Sequence, residues 1–249
     1  MNWIKLKNIM LWFLIFMNIL LIFIISISTF KEKSIPDNAI NAGIELLKND
    51  GFTCKKDVFP KNYETLPSLS AQFYTATELS DIFFGTQLAF KTENNSLIAI
   101  KDDATLTVTG NYFQYETDST SVKSSDLAIL SKLKKLGIDM RGASYDSKTG
   151  YFYKMYNNLN LFNISLQAKL DENGEICYLS AHWPKITSVS ESKHLSFTSE
   201  ILKIKDVFPD GGNITNIELG YSMQYVRKDK YVFNPAWRVT VNNEMKIVD

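Results

Sequence analysis

Residues Asn8 to Phe30 form a run of 23 without a single charge, and this constrains the chain more than any other feature. Lys5 and Lys7 precede the run, and Lys31, Glu32 and Lys33 follow it. At about 1.5 Å rise per residue it would make a helix of roughly 34 Å, against a hydrocarbon core of about 30 Å. The expectation is a single transmembrane helix over 8–30. A cleaved signal peptide is the rival, with Ser26-Ile27-Ser28 as its small-residue pattern. Signal cores run only about 7–15 residues, however, and bulky Ile27 and Phe30 crowd the supposed cleavage zone. Lysines stand on both sides, so charge alone does not set the orientation. A short tail translocates less readily than a following domain is exported, which places the N-terminus in the cytoplasm and the C-terminal domain outside the cell membrane.

Inside the run, Leu11, Leu14, Asn18, Leu21, Ile25 and Ser28 recur at alternating spacings of three and four, the seam pattern of a left-handed helix pair. An unpaired amide is costly in hydrocarbon, so Asn18 would seek a hydrogen bond across that seam. Any apolar helix rich in Leu and Ile generates a similar stripe, and Asn18 is what tips the balance toward a partner helix.

The 219 residues from Lys31 onward are enough for one large domain or two small ones. They carry all 27 acidic residues against 25 basic ones, a net charge near −2 that gives no electrostatic case for nucleic acid. Cys54 and Cys177 could close a loop of more than a hundred residues, which would add about 4–5 kcal/mol in the chain-entropy model. Cys177 shares a strand pattern with Leu179 and Ala181, where it reads as a small core residue, and two free thiols are favoured.

Pro36 and Asp37 open a helix whose Ile40, Gly43, Ile44 and Leu47 form a buried stripe, stopped by Asn49-Asp50-Gly51. Ser124, Ser125 and Asp126 can cap a second, with Ile129, Leu130, Leu133 and Leu136 before Gly137. A third starts near Thr198 and carries Ile201, Ile204 and Phe208, and a short one spans Glu78 to Phe84. Between them the period falls to two: Phe162, Ile164, Leu166, Ala168 and Leu170, then the turn Asp171 to Gly174 and a return strand to Trp183. Ile217, Leu219, Tyr221, Met223 and Tyr225 form another such face, followed by Trp237, Val239 and Val241 and a tight turn at Asn242-Asn243. Weaker strand patterns cover 71–77, 97–101, 104–115 and 151–156.

These patterns predict an α+β protein: the transmembrane helix, then an extracytoplasmic domain of antiparallel sheets with packed helices. The expected plan is a tail at 1–7, the span at 8–30, a linker at 31–35, a first helix-plus-sheet unit at 36–120 and a second α+β unit at 121–249. The pentapeptide Lys-Asp-Val-Phe-Pro occurs at Lys56–Pro60 and again at Lys205–Pro209, which suggests a duplicated helix-plus-sheet unit against the alternative of chance.

Signatures of chemistry are missing. His182 and His194 are the only histidines, no Cys-x-x-Cys or His-Glu-x-x-His occurs, and no metal or cofactor is expected. Gly211-Gly212 reads as a turn rather than a phosphate loop, and there is no Gly-x-Ser-x-Gly elbow. The carboxylate pairs Asp102-Asp103 and Asp171-Glu172 sit in polar turns. No catalytic residue is assigned, and the weight moves from enzyme to binding protein.

The order of parts resembles the YycI family. The resemblance is carried by Asn2-Trp3-Ile4-Lys5-Leu6-Lys7-Asn8-Ile9, by Asn18-Ile19-Leu20-Leu21, and by Ile214 to Tyr221 followed by Asn234-Pro235-Ala236-Trp237-Arg238-Val239, which look like the family's closing strand pair. It covers the whole layout through short motifs, none catalytic, and matches nothing quotable from Cys54 to Thr120. It implies a non-enzymatic, membrane-anchored regulator that binds a sensor histidine kinase and a YycH-like partner, chiefly through the transmembrane helix, in two-component signalling for cell-wall homeostasis. Under it Pro235 to Arg238 is structural. Two alternatives stay open: a PepSY-like peptidase inhibitor or extracellular ligand-binding module, suggested by Trp237-Arg238-Val239, and an unrecognised envelope enzyme.

Overall fold

The computed structural model describes residues 7, 10–22, 35, 37–60, 66–193, 197–227 and 230–248. Residues 10–22 form helix α1. Among the described residues no helix is long and apolar enough to cross a membrane. This overturns the expected transmembrane helix over 8–30, and with it the single-pass placement with a cytoplasmic N-terminus and an extracytoplasmic domain. Ile25 and Ser28, most of the expected linker, and His194 lie outside the described residues.

The expected balance of helix and sheet is corrected as well. Strand accounts for 48% of the protein and helix for 28%, so the chain is dominated by β-sheet. After α1 come α2 (Asp37–Asn49), β1 (Phe52–Cys54), β2 (Leu66–Phe73) and α3 (Ala76–Phe84). Then follow β3 (Lys91–Glu93), β4 (Ser96–Lys101), β5 (Ala104–Thr109), β6 (Tyr112–Thr117) and α4 (Asp126–Lys135). The remainder is β7 (Ala143–Asp146), β8 (Tyr151–Tyr156), β9 (Leu159–Leu170), β10 (Ile176–His182), β11 (Pro184–Lys193), α5 (Phe197–Val207), β12 (Gly212–Arg227), β13 (Lys230–Val241) and β14 (Glu244–Val248). The single strand expected over 104–115 is two, because Gly110 adopts a φ of 57° and turns the chain back.

Two compact units result, each discontinuous in sequence. The first takes residues 1–66, 193–218 and 239–248. In it the predicted stripe of α2 is buried at Ile40, Gly43 and Leu47, and α5 buries Phe197, Ile201 and Ile204. Gly43 is where the two helices meet, since a Cβ there would collide with Ile201 Cδ1 and press on Phe197. Strand β1 runs parallel to the start of β12, from Phe52 beside Gly212 to Cys54 beside Ile214. The repeated pentapeptide has two different backbones: Lys56–Val58 is a 3-10 turn following β1, whereas Lys205–Val207 is the last part of α5. No duplicated unit is visible in that pair.

The second unit holds residues 67–192 and 219–238. Its strands lie in the order β11-β2-β13-β12-β9-β10-β6-β5-β4-β3, with β8 on β9 and β7 on β8. Most neighbours are antiparallel, but β12 meets β9 in parallel at Gly220 beside Asn160. The sheet is therefore mixed, where only antiparallel pairing was expected. The predicted inward face of β9, Ile164, Leu166, Ala168 and Leu170, is buried, as are Leu179 and Ala181 opposite it on β10. Cys177, at the register shift between Ile176 and Tyr178, is buried too and, like Cys54, is a free thiol.

Candidate binding site

In the second unit a polar cluster is assembled from three places in the chain. The first is the segment after α4. Ser125 accepts the Ala128 N–H at the helix start, and Gly137, with φ 87°, ends it. The Gly137 N–H donates to Lys134 O and the Ile138 N–H to Leu133 O, the paired bonds of a Schellman motif, which turns the chain so that Asp139 follows two buried-side anchors, Leu133 and Ile138. Gly142 then brings the strand pair in: the Met155 N–H donates to its carbonyl at 2.8 Å. With φ 67°, and with the Met155 carbonyl where a Cβ would stand, position 142 admits only glycine.

The second contribution is Lys154 on β8. Register sets its direction. Phe152 pairs with buried Leu166 of β9, and side chains two apart share a face, so Lys154 points inward with Phe152 and is completely buried. Its Nζ donates to Asp139 O at 3.0 Å and to Asp139 Oδ2 at 3.3 Å, and lies 4.9 Å from the centre of the Trp183 ring. Burial pushes the Lys154 ammonium down to about 8 even though the neighbouring carboxylate favours the charged form.

Trp183, between β10 and β11, is the third. It is fully buried, and its Nε1–H donates to the same Asp139 carbonyl at 2.7 Å. Arg141 completes the group from the exposed side: its Nε donates to Asp139 Oδ1 at 2.7 Å and its Nη2 to Oδ2 at 3.1 Å. Burial alone would raise the Asp139 carboxyl, but the Arg141 hydrogen bonds and the Lys154 charge outweigh it and hold the group below its usual range. The Asp139 N–H donates to Tyr74 Oη at 2.6 Å, and Tyr74, pushed up to about 12 chiefly by burial, stays neutral. Every polar atom of Asp139 is thus used.

Beside this cluster is a cavity of about 370 Å³, lined by Asp139, Arg141, Gly142 and Lys154, by Met155 to Asn157, and by Ile186 to Val189. That lies within the range of about 300–1,000 Å³ usual for ligand pockets. Its charged lining is two cations and one carboxylate, and Ile186 to Val189 of β11 form one wall, with the Thr187 hydroxyl donating to Ser70 O. Such a lining can hold an anionic group without supplying a nucleophile paired to a base.

The residues singled out from sequence lie elsewhere. Leu11, Leu14 and Leu21 are on α1 and exposed, and the Asn18 amide donates to Leu14 O at 2.8 Å within its own helix. His182 is half-buried, stacks on Phe73 at 4.8 Å, and has Nδ1 3.0 Å from Asn163 O; burial holds its pKa below the ordinary value. Its ring thus has a hydrogen-bond partner and a stacking partner. Asp171 accepts the N–H groups of Asn173 and Glu175 at 2.9 Å, ordinary turn chemistry. Among the described residues no group of three His, Cys, Asp or Glu is placed to hold a metal ion. The cluster around Asp139 went unread, although Gly137 and Gly142 bracket its first segment in the sequence.

No family model matches the chain, and no curated protein does. Among solved structures the chain is similar to an uncharacterized protein from Eubacterium rectale, with 12% identity, 79% of this chain and 85% of that one covered, and a TM-score of 0.42.

Proposed function

We propose that the chain is a non-enzymatic binding protein of the YycI kind, one that recognises a sensor histidine kinase and a YycH-like partner and adjusts two-component signalling for cell-wall homeostasis. The observation that supports this best is that the two segments that carry the resemblance lie on neighbouring strands. Ile214 to Tyr221 lie in β12 and Asn234 to Val239 in the adjacent β13, and Ala236 and Trp237 are completely buried, as a structural motif requires. The chemistry of the Asp139 cluster agrees with a binding role, since its cations are held by a carboxylate and no nucleophile and base pair there. Recognition is assigned to the folded β-rich part. An affinity-tagged full chain, purified from its own cells after mild crosslinking, should carry the kinase and the YycH-like protein with it. Recovery of a peptidase in their place would favour the PepSY-like inhibitor, and turnover of an envelope substrate by the purified chain would overturn the non-enzymatic assignment.

A further inference from the structure

Two strand edges border the cavity. Strand β7 ends level with Lys154, which pairs with Ala143, while β8 continues to Tyr156; beyond that point Met155 pairs with Asn160 of β9 on one side and on the β7 side donates its N–H to Gly142 O. Strand β11, which supplies Ile186 to Val189, stands at the end of the strand order with β2 as its one neighbour among the described strands. An unpaired edge presents a row of backbone donors and acceptors, the template for adding an extended peptide. The buried Lys154 and the Arg141 guanidinium line the same cavity. Arg141 spends two of its five N–H donors on Asp139, and its side chain is 79% exposed, so the remaining donors are accessible. With one carboxylate against two cations, the lining has room for one more negative charge.

We infer that this cavity is a docking site for the C-terminal end of an extended peptide, whose backbone pairs with the edge of β11 and whose terminal carboxylate is taken by Arg141 beside Lys154. The inference rests on the assignment of the chain as a binding protein, and is independent of whether the partner is a kinase.

The test uses the full chain and rhodamine-labelled random tetrapeptide pools, one with free C-terminal carboxylates and one amidated, read by fluorescence anisotropy. The free-acid pool should bind at least tenfold more tightly than the amidated one, and Arg141→Ala should abolish that preference; because Arg141 is exposed, this variant folds. Hydrogen exchange should slow in residues 184–193 when the free-acid pool is bound. Equal binding of both pools overturns the inference. So does competition by N-acetyl amino acids as strong as that by the peptides, which would make the cavity a pocket for small carboxylates. Recovery of the kinase with no preference for the free acid rejects this inference alone, whereas a carboxylate preference without kinase recovery rejects only the partner assignment.

Discussion

The buried Lys154 ammonium and the Asp139 main chain and side chain form one contact, with Nζ 3.0 Å from the carbonyl and 3.3 Å from the carboxylate. A charge placed so deep costs stability unless it is paired, and here the partner's own loop is held by Trp183 and Tyr74.

That contact has a pH signature. Lys154 titrates at about 8 in the folded chain against 10.5 in the unfolded one. Between those values the unfolded chain holds more protons, so stability rises with pH across the window, by at most about 3 kcal/mol. Tyr74, moved from 10.0 to about 12, works in the opposite sense above pH 10. Lys154→Met should remove the rise, seen as a smaller gain in urea midpoint between pH 7.5 and 9.5 than the wild type shows. Parallel profiles for the two proteins would mean that Lys154 is not depressed.

Gly142→Ala should be among the most damaging single changes in the second unit. The added methyl collides with the Met155 carbonyl at a backbone conformation that already disfavours alanine. A loss of about 3 kcal/mol in chemical denaturation is expected. A loss under about 1 kcal/mol would show that the approach of Gly142 to β8 is loose.

The turn at Asn157-Asn158 borders the cavity, and both residues have positive φ, 47° and 63°, as a type I′ turn demands. Asn158→Val should cost about 1–2 kcal/mol, because a β-branched residue is strained there. Asn158→Gly should leave stability level or slightly higher. Thermal unfolding of the pair separates the two, and equal midpoints would contradict the turn assignment.

Local signals in this sequence were readable and long-range ones were not. Gly137 announces the end of α4, and the alternation from Phe162 to Leu170 announces β9 with its inward face. Asn242-Asn243 reads as a turn, with φ of 49° and 69°. The same dipeptide at Asn94-Asn95 and Asn157-Asn158 makes the same turn and was equally legible. Lys154 is different, because Tyr151 to Tyr156 is aromatic on both faces, and only pairing with β9 decides which face is buried. Asp139 owes its role to a lysine delivered by the β7–β8 hairpin, which no local pattern encodes. The apolar run from Asn8 shows hydropathy alone, which does not announce the bond from the Asn18 amide to Leu14 O.

The central claim is that recognition of the kinase and the YycH-like protein belongs to the folded β-rich part, and one exchange tests it directly. Residues 10–22 are replaced by an unrelated helical sequence in the tagged full chain, and the amounts of kinase and YycH-like protein recovered are measured against the unaltered chain. Recovery should stay within about twofold, since the Asn18 amide already has an acceptor, Leu14 O, within its own helix. Loss of both partners on that exchange, with the rest of the chain still folded, would contradict the account and return recognition to α1.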